Sequence, residues 1–365
     1  MTQPIAPPAG PIAPADRPGG LLTSVVGSHA RPSWFVSGID AAERGEFGPA
    51  DLEEMLDDAV DLALRDQESA GIDVVSDGEM RRAGFFTAEF YRHLTGLRPL
   101  QPERRVGAPG HDQQHRFEVL EPIAAPEGLG VVEEFRYART RARRPLKVTI
   151  PGPFTLAGRL VGGSVYPNRV AATEAFIPIL ANEVRALVAE GATFIQIDEP
   201  SPAIHPDAPA DFAALFNPVV ADVPAGVRLA AHLCFGNYMG RPLAKRTYRP
   251  VLDQLRRFAV HELVLEFANR EMAELEVLAE LTDRFDIAAG VIDVKNSYVE
   301  TAYDVAERIE LVIRHVPAER LSLVPDCGFS QTARGVTRPK LRALVAGRDL
   351  VTGVVRTEPD VPPPV

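Results

Sequence analysis

The chain has 365 residues, of which 39 are Lys or Arg and 50 are Asp or Glu, giving a formal charge of -11. That excess of carboxylates argues against a phosphate-binding surface and excludes nucleic acid as an expected partner. No apolar run approaches the roughly 20 residues needed to cross a bilayer, and no basic segment leads into an apolar core at the N-terminus, so a cytoplasmic protein without a membrane partner is expected.

Residues 1–20 are mostly Pro, Ala and Gly and bury too little apolar surface to offset ordering entropy; a flexible tail is expected there. The Pro-rich residues 351–365 read the same way, which leaves 21–350 as one domain. Within it, short β-branched runs at 22–26, 72–75, 147–150, 194–197, 229–233, 263–267, 287–294 and 321–325 alternate with helical patterns. The stretch 51–70 places Leu52, Met55, Leu56, Ala59 and Val60 on one face, and 301–316 does the same with Val305, Ile309 and Val312. Strands alternating with helices pair in parallel, and eight such units are the number that closes a (β/α)8 TIM barrel. A doubly wound open sheet is the alternative. The segment 95–128, between the second and third runs, breaks the pattern with Gly107, Pro109, Gly110, His111, Asp112 and Gln113. It reads as a turn-rich insertion that covers the barrel mouth, builds a homo-oligomer contact, or forms an exposed hairpin.

Polar residues gather where each run ends: Gly27-Ser28-His29, Asp77-Gly78-Glu79, Pro151-Gly152-Pro153, Asp198-Glu199-Pro200, His232-Leu233-Cys234, Glu266, Asp293-Val294-Lys295 and Asp326-Cys327-Gly328. In a barrel that rim assembles the chemistry. Turn and cap roles explain any one cluster, but eight at one rim are harder to explain so. The two cysteines of the chain, Cys234 and Cys327, are too few for a disulfide framework, and both sit at run ends. His232 and Cys234, two apart on a strand, point the same way and suit a soft metal such as zinc. A buried thiol beside a core histidine satisfies the same pattern, and these residues alone leave both readings open.

Thr23-Ser24-Val25-Val26-Gly27-Ser28, Ser76-Asp77-Gly78-Glu79, Gly152-Pro153-Phe154-Thr155, Ile195-Gln196-Ile197-Asp198-Glu199-Pro200, His232-Leu233-Cys234 and Pro325-Asp326-Cys327-Gly328 together resemble the catalytic half of cobalamin-independent methionine synthase. The likeness runs in order over about 21–347. It implies a zinc site of His232, Cys234, Glu266 and Cys327, with Glu266 the hardest donor and the one to yield to a substrate thiol. It further implies that Ser28, Glu79, Asp198 and Glu199 hold a homocysteine-like acceptor, and that Asp293 and Lys295 take catalytic positions. The partners it implies are a small-molecule thiol and an alkyl donor. This chain departs from the family in two places: Lys295 stands where a histidine proton donor is expected, and Leu156-Ala157-Gly158-Arg159-Leu160 lacks the tryptophan that stacks on folate. A donor other than polyglutamyl folate is therefore expected. The alternatives are an epoxyalkane:coenzyme M transferase-like addition of a thiol to an epoxide, a metal-free uroporphyrinogen-decarboxylase-like lyase with an arginine-lined pocket, and a structural zinc in a partner-binding protein.

Overall fold

The computed structural model describes residues 21–82, 88–101, 115–161, 163–237 and 240–354. The tail 1–20, the end of the other tail from 355 onward and the Gly107 to Gln113 cluster lie outside these described residues. Ten strands occur among the described residues: β1 (Leu22–Thr23), β2 (Thr95–Leu100), β3 (Arg116–Ala124), β4 (Val148–Pro151), β5 (Leu160–Val161), β6 (Phe194–Asp198), β7 (Arg228–Leu233), β8 (Glu262–Leu265), β9 (Asp286–Ile292) and β10 (Leu321–Pro325). Seven of them form one curled parallel sheet, ordered β1-β10-β9-β8-β7-β6-β4. Parallel pairing follows from the intervening helices, because two parallel neighbours need a long crossover between them.

The longest helices begin and end on recognisable signals. Pro49–Ala70 starts with proline at its first position, uses the Asp51 carboxylate to accept the Gly48 N–H at 3.0 Å, and stops at Gly71, whose φ of 88° suits glycine. Its buried stripe contains Met55, Leu56, Ala59 and Val60, as the 51–70 pattern requires. Ala302–Ile313 opens on a reciprocal cap, with Asp304 N–H donating to Thr301 Oγ1 at 3.1 Å and Thr301 N–H to Asp304 Oδ2 at 2.7 Å. The last helix, Arg334–Thr352, runs two residues past the boundary expected at 350.

The sheet carries apolar side chains on both faces. Outside, a large core joins it to the helices. Inside, a separate layer consists of Val26, Val74, Phe194, Ala230, Val264, Ala288 and Val324. Below that layer Arg228 pairs with Glu262 at 2.7 Å and Asp286 at 2.9 Å.

One expectation is corrected. The run 72–75 is not a regular strand; it makes only the isolated bridges Ser24 to Val74 and Val75 to Leu146, both parallel. The Asp73 side chain takes over much of the pairing, accepting from Thr23 N at 2.8 Å, Thr23 Oγ1 at 2.7 Å and the buried Arg348 Nη1 at 2.7 Å. The insertion, in turn, contains an antiparallel pair, β2 with β3, which β5 joins to make a three-stranded sheet. Burial of Val119 and Ile123 on β3, and stacking of Phe117 on Tyr91 at 4.2 Å, attach this sheet to the body of the fold. No helix among the described residues is long and apolar enough to cross a membrane.

Asp73 thus links the first strand, the 72–75 run and the C-terminal helix. Replacing it with alanine leaves the fully buried Arg348 side chain without this partner and is expected to cost about 3 kcal/mol. Denaturant unfolding measures the loss; a change below about 1 kcal/mol, the ordinary worth of one net hydrogen bond, shows that the three bonds do not hold the strands together.

Candidate metal centre and cavity

His232, at the inward-facing end of β7, and Cys234, just beyond it, point to one side because they are two residues apart on extended chain. Cys327 follows β10, which β9 and β8 separate from β7 in the sheet. The Cys234 and Cys327 sulfurs lie 3.8 Å apart, far beyond the roughly 2.05 Å of a disulfide. One donor atom from each of His232, Cys234 and Cys327 lies within 4.8 Å of the other two.

The histidine is oriented from below. Its Nδ1 bonds Asp198 Oδ1 at 2.9 Å, while its buried Nε2 has no partner among the described atoms. Asp198 Oδ1 also accepts from Gln196 Nε2 at 2.7 Å, and Gln196 Oε1 accepts from Lys147 Nζ at 2.6 Å. The direction of these bonds settles the proton. With Lys147 donating to its oxygen, Gln196 presents its NH2 to Asp198, so Asp198 remains an acceptor and His232 carries its proton on Nδ1. The lone pair of Nε2 is then free on the side of the sulfurs.

This donor set fits zinc. Two zinc–sulfur bonds of about 2.3 Å at a tetrahedral angle place sulfurs about 3.8 Å apart, and zinc-bound histidines characteristically give their other nitrogen to a carboxylate. Without metal, the two thiols share one proton. The hydrogen bond from Cys234 holds the Cys327 thiol down to about 7 against the opposing effect of burial. The same bond, with burial, pushes Cys234 well up. Burial alone would depress His232, but the Asp198 hydrogen bond and charge outweigh it and raise the imidazole. Burial likewise lowers Lys147 to about 8, opposed by the charges of Glu262 and Asp198.

The expected fourth ligand is engaged elsewhere. Glu266 Oε1 forms an ion pair with Lys295 Nζ at 2.5 Å, both side chains fully buried, and Glu266 Oε2 accepts the Phe235 N–H at 3.2 Å. Burial opposes the charge on Lys295, yet Glu266 and the cysteines hold its pKa above the ordinary lysine value. Arg270, four residues after Glu266, pairs with Glu274 at 2.6 Å.

A cavity of about 490 Å³ is lined by these three candidate donors. Ser28, Glu79 and Asp198 line it together with His232, Cys234 and Cys327. Glu79 has a left-handed backbone, φ 56°, at the end of a tight turn in which Asp77 Oδ1 accepts its N–H at 2.9 Å. Such a conformation costs on the order of 1 kcal/mol in a non-glycine residue and marks a position the surroundings enforce. Burial raises the Glu79 carboxyl, although Arg82 at 3.2 Å and Thr149 at 2.8 Å favour the anion.

Three sequence-expected residues face away from this cavity. Glu199 accepts Phe154 N–H at 2.9 Å and bonds Thr155 Oγ1, capping the helix Pro153–Ala157. Asp293 accepts Lys295 N–H at 2.7 Å and bonds the Asn269 and Asn296 side chains, shaping the turn after β9. Lys295 stands behind the ligands, against Glu266. Conversely, Arg116, Arg159, Arg169 and His205 line the cavity without having stood out in the sequence. Their distances along the chain hide them: Arg116 begins β3, residue 159 precedes β5, and Phe117 N–H to Arg159 O at 3.0 Å draws the two arginines to one wall.

Glycines hold the rim close. A Cβ on Gly27 would meet Glu79 Oε1 at 2.5 Å, and one on Gly152 or Gly290 would collide with Glu199 or Asp326. Asp326 needs that room, since it accepts Phe267, Ala268 and Asn269 N–H groups at 2.9, 2.9 and 2.6 Å and so ties the end of β8 to the end of β10.

Residues 21–348 match the family described as the cobalamin-independent synthase catalytic domain. A methionine synthase of Thermococcus kodakarensis is 32% identical over 335 residues, 91% of this chain and 93% of that one. Another, from Pyrococcus abyssi, is 30% identical over 329 residues, 89% and 91% of the two chains. Among solved structures, a B12-independent methionine synthase from Shewanella sp. W3-18-1 in complex with selenomethionine superposes with a TM-score of 0.77 at 27% identity, covering 91% of this chain and 98% of that one. A methyltransferase from Methanosarcina mazei shares the fold, with a TM-score of 0.59 at 17% identity over 90% and 93% of the chains.

In metal-free protein, iodoacetamide is expected to alkylate Cys327 first, with a rate that rises through about pH 7 as the thiolate forms. Peptide mapping over a pH series checks this. An apparent midpoint near 8.5, the ordinary thiol value, or preferential labelling of Cys234, is incompatible with the shared proton.

Proposed function

From the chain's membership of the cobalamin-independent synthase catalytic-domain family, we propose that it transfers a methyl group to a zinc-activated thiol, with homocysteine as acceptor and methionine as product. The observation that carries this reading is the His232, Cys234 and Cys327 group beneath a cavity that Ser28, Glu79 and Asp198 also line. The relative solved with selenomethionine, a product-like compound, supports the same assignment. We also read the curled sheet as a (β/α)8 barrel, on the strength of the two bridges at Val74 and Val75 and the inward layer to which Val74 contributes.

His232, Cys234 and Cys327 would hold a zinc ion, with Glu266 the fourth donor if it left Lys295, and such an ion would supply the acidity that leaves a substrate thiol deprotonated at neutral pH. The protein's residues do the rest. Lys147, Gln196 and Asp198 fix the imidazole tautomer; Glu79 and Asp198 offer carboxylates to the acceptor's ammonium group; Ser28 and its neighbouring backbone suit its carboxylate. Lys295 is assigned as the fixed cation that holds Glu266, because its raised pKa makes it a weak acid and its side chain does not reach the cavity. That placement also gives no support to a lysine serving an alkoxide in epoxide opening. The arginines expected of a decarboxylase are present, but they share the cavity with the thiol ligands and are better assigned to the donor side. We read the donor as other than a polyglutamyl folate, a reading supported by the place of Trp34, 44% exposed on the helix Ser33–Glu43 and outside the cavity lining.

Purified protein is expected to hold about one zinc per chain, and Cys234→Ala or Cys327→Ala to lose most of it together with homocysteine methylation. Elemental analysis beside a product-mass assay tests this, and full metal retention in both variants rejects the site.

Lys295→Met is expected to cost about 3 kcal/mol through the unpaired Glu266, and adding Glu266→Gln to recover most of it. Unfolding of the metal-free proteins reads both. Unchanged stability with a fall in kcat alone assigns Lys295 to proton donation.

A further inference from the structure

Behind the cavity lies a short line of buried charges. Glu79 lines the cavity, Arg82 stands behind Glu79, and Glu134, on the helix Val131–Arg141, stands behind Arg82. We propose that Glu134 is a positioning residue for the acceptor: by holding Arg82 it leaves the Glu79 charge to an ammonium group, and so sets a preference for an amino-acid thiol over a plain thiol acid. The inference rests on the reading of Glu79 as a partner of the acceptor's ammonium group and names the residue that tunes it.

The guanidinium is divided unequally between its two carboxylates. Arg82 Nε lies 3.3 and 3.0 Å from the two Glu134 oxygens and Nη2 lies 2.9 Å from Glu134 Oε2, whereas its nearest approach to Glu79 is Nη1 to Oε1 at 3.2 Å. Thr149 takes up the remaining capacity: its carbonyl accepts from Nη2 at 2.6 Å, and its Oγ1 accepts from Nη1 at 3.3 Å while donating to Glu79 Oε1 at 2.8 Å. Both of these approaches to Glu79 fall on Oε1, which leaves Oε2 for the acceptor. Arg82 is 1% exposed and has the Phe90 ring 5.0 Å from its guanidinium carbon, so bulk water cannot replace what Glu134 supplies. A planar fork used on this many acceptors cannot turn further toward Glu79 without releasing Glu134.

The backbone holds both ends of the line. The turn that gives Glu79 its left-handed conformation also brings Arg82 alongside, with Arg82 N–H donating to Glu79 O at 3.2 Å. Glu134 lies in the first turn of its helix, whose start is fixed by the buried Glu183 carboxylate accepting Leu129 N–H at 2.7 Å and Val131 N–H at 3.0 Å. Remove the Glu134 charge, and the whole guanidinium charge falls to Glu79, which then attracts an ammonium group less. Remove the Arg82 fork, and burial, which already raises the Glu79 carboxyl, favours its neutral form. Either change weakens recognition of the amino group and of nothing else on the acceptor.

Calorimetric titration of the zinc-loaded protein with homocysteine and, separately, with γ-mercaptobutyrate, which lacks the amino group, tests the proposal. The unaltered protein is expected to prefer homocysteine. Glu134→Gln is expected to weaken homocysteine binding about tenfold, the worth of one charge-assisted bond, with γ-mercaptobutyrate binding and zinc content unchanged. Arg82→Lys, which keeps the charge but loses the fork, is expected to act the same way and serves where Glu134→Gln fails to fold. A loosened fold weakens both thiols together, so equal weakening of the two, or a preference for homocysteine that survives both substitutions, overturns the proposal and leaves the acceptor reading standing. Equal binding of the two thiols by the unaltered protein, or no binding of homocysteine, removes the acceptor reading and the proposal with it.

Discussion

A parallel sheet curled about its own axis gives its inward-facing polar side chains no bulk water, so each must be answered from a neighbouring strand. The interior is ordered by that demand. At the floor, Arg228 is answered by Glu262 and Asp286, with Ser322 adding a contact to Glu262 at 3.3 Å. Above the apolar layer, Lys147, Gln196, Asp198 and His232 form one hydrogen-bonded line. Leaving any member unpaired costs about 1–3 kcal/mol, more for the charged ones. The same bonds that make burial tolerable also decide which nitrogen of His232 is bare, so stability and site chemistry share a cause.

Much of this was legible because short continuous apolar runs with polar ends are what a strand buried on both faces must look like. Seven of the eight runs became ladder strands, and the polar groups at their ends converged. The exception, 72–75, pairs through backbone bonds on both sides, Val74 N–H to Thr23 O at 3.1 Å and Lys147 N–H to Val75 O at 2.8 Å, but makes only single bridges beside the Asp73 side-chain bonds, which no hydrophobic pattern records. The β2–β3 pair lies in the 95–128 segment, for which an exposed hairpin was one of the readings; its strands are largely solvent-facing, and only Val119 and Ile123 of β3 are buried. Residue identity pointed to Glu266 and Lys295 but not to their embrace, since 29 positions separate them and only the fold brings them together. Glu199 and Asp293 fell at the right rim yet were drawn to unsatisfied N–H groups of a helix start and a turn.

The buried Glu266 and Lys295 pair deserves weighing against the three ligands it adjoins. Two fully desolvated charges attract strongly, but their desolvation penalty offsets much of the gain, so the pair adds little net stability while making either partner alone very costly. A carboxylate held this way keeps its charge next to the thiols without being fixed to them. The contrast with Asp326 is instructive: three backbone N–H groups hold that carboxylate in place, and it serves as an immobile brace between strands.

The contacts of Gly27, Gly152 and Gly290 with Glu79, Glu199 and Asp326 bear on how such a rim can evolve. Each carboxylate occupies the volume that a methyl group on its glycine would need, so neither partner can drift freely while the other stays. Any inherited change at the strand ends is therefore tied to a compensating one, and single steps there pass through a disfavoured intermediate. Gly163, shortly after β5, carries no such pairing: an added Cβ there finds only ordinary contact at 3.6 Å. Change is freer there, while the three strand ends are kept by mutual obstruction.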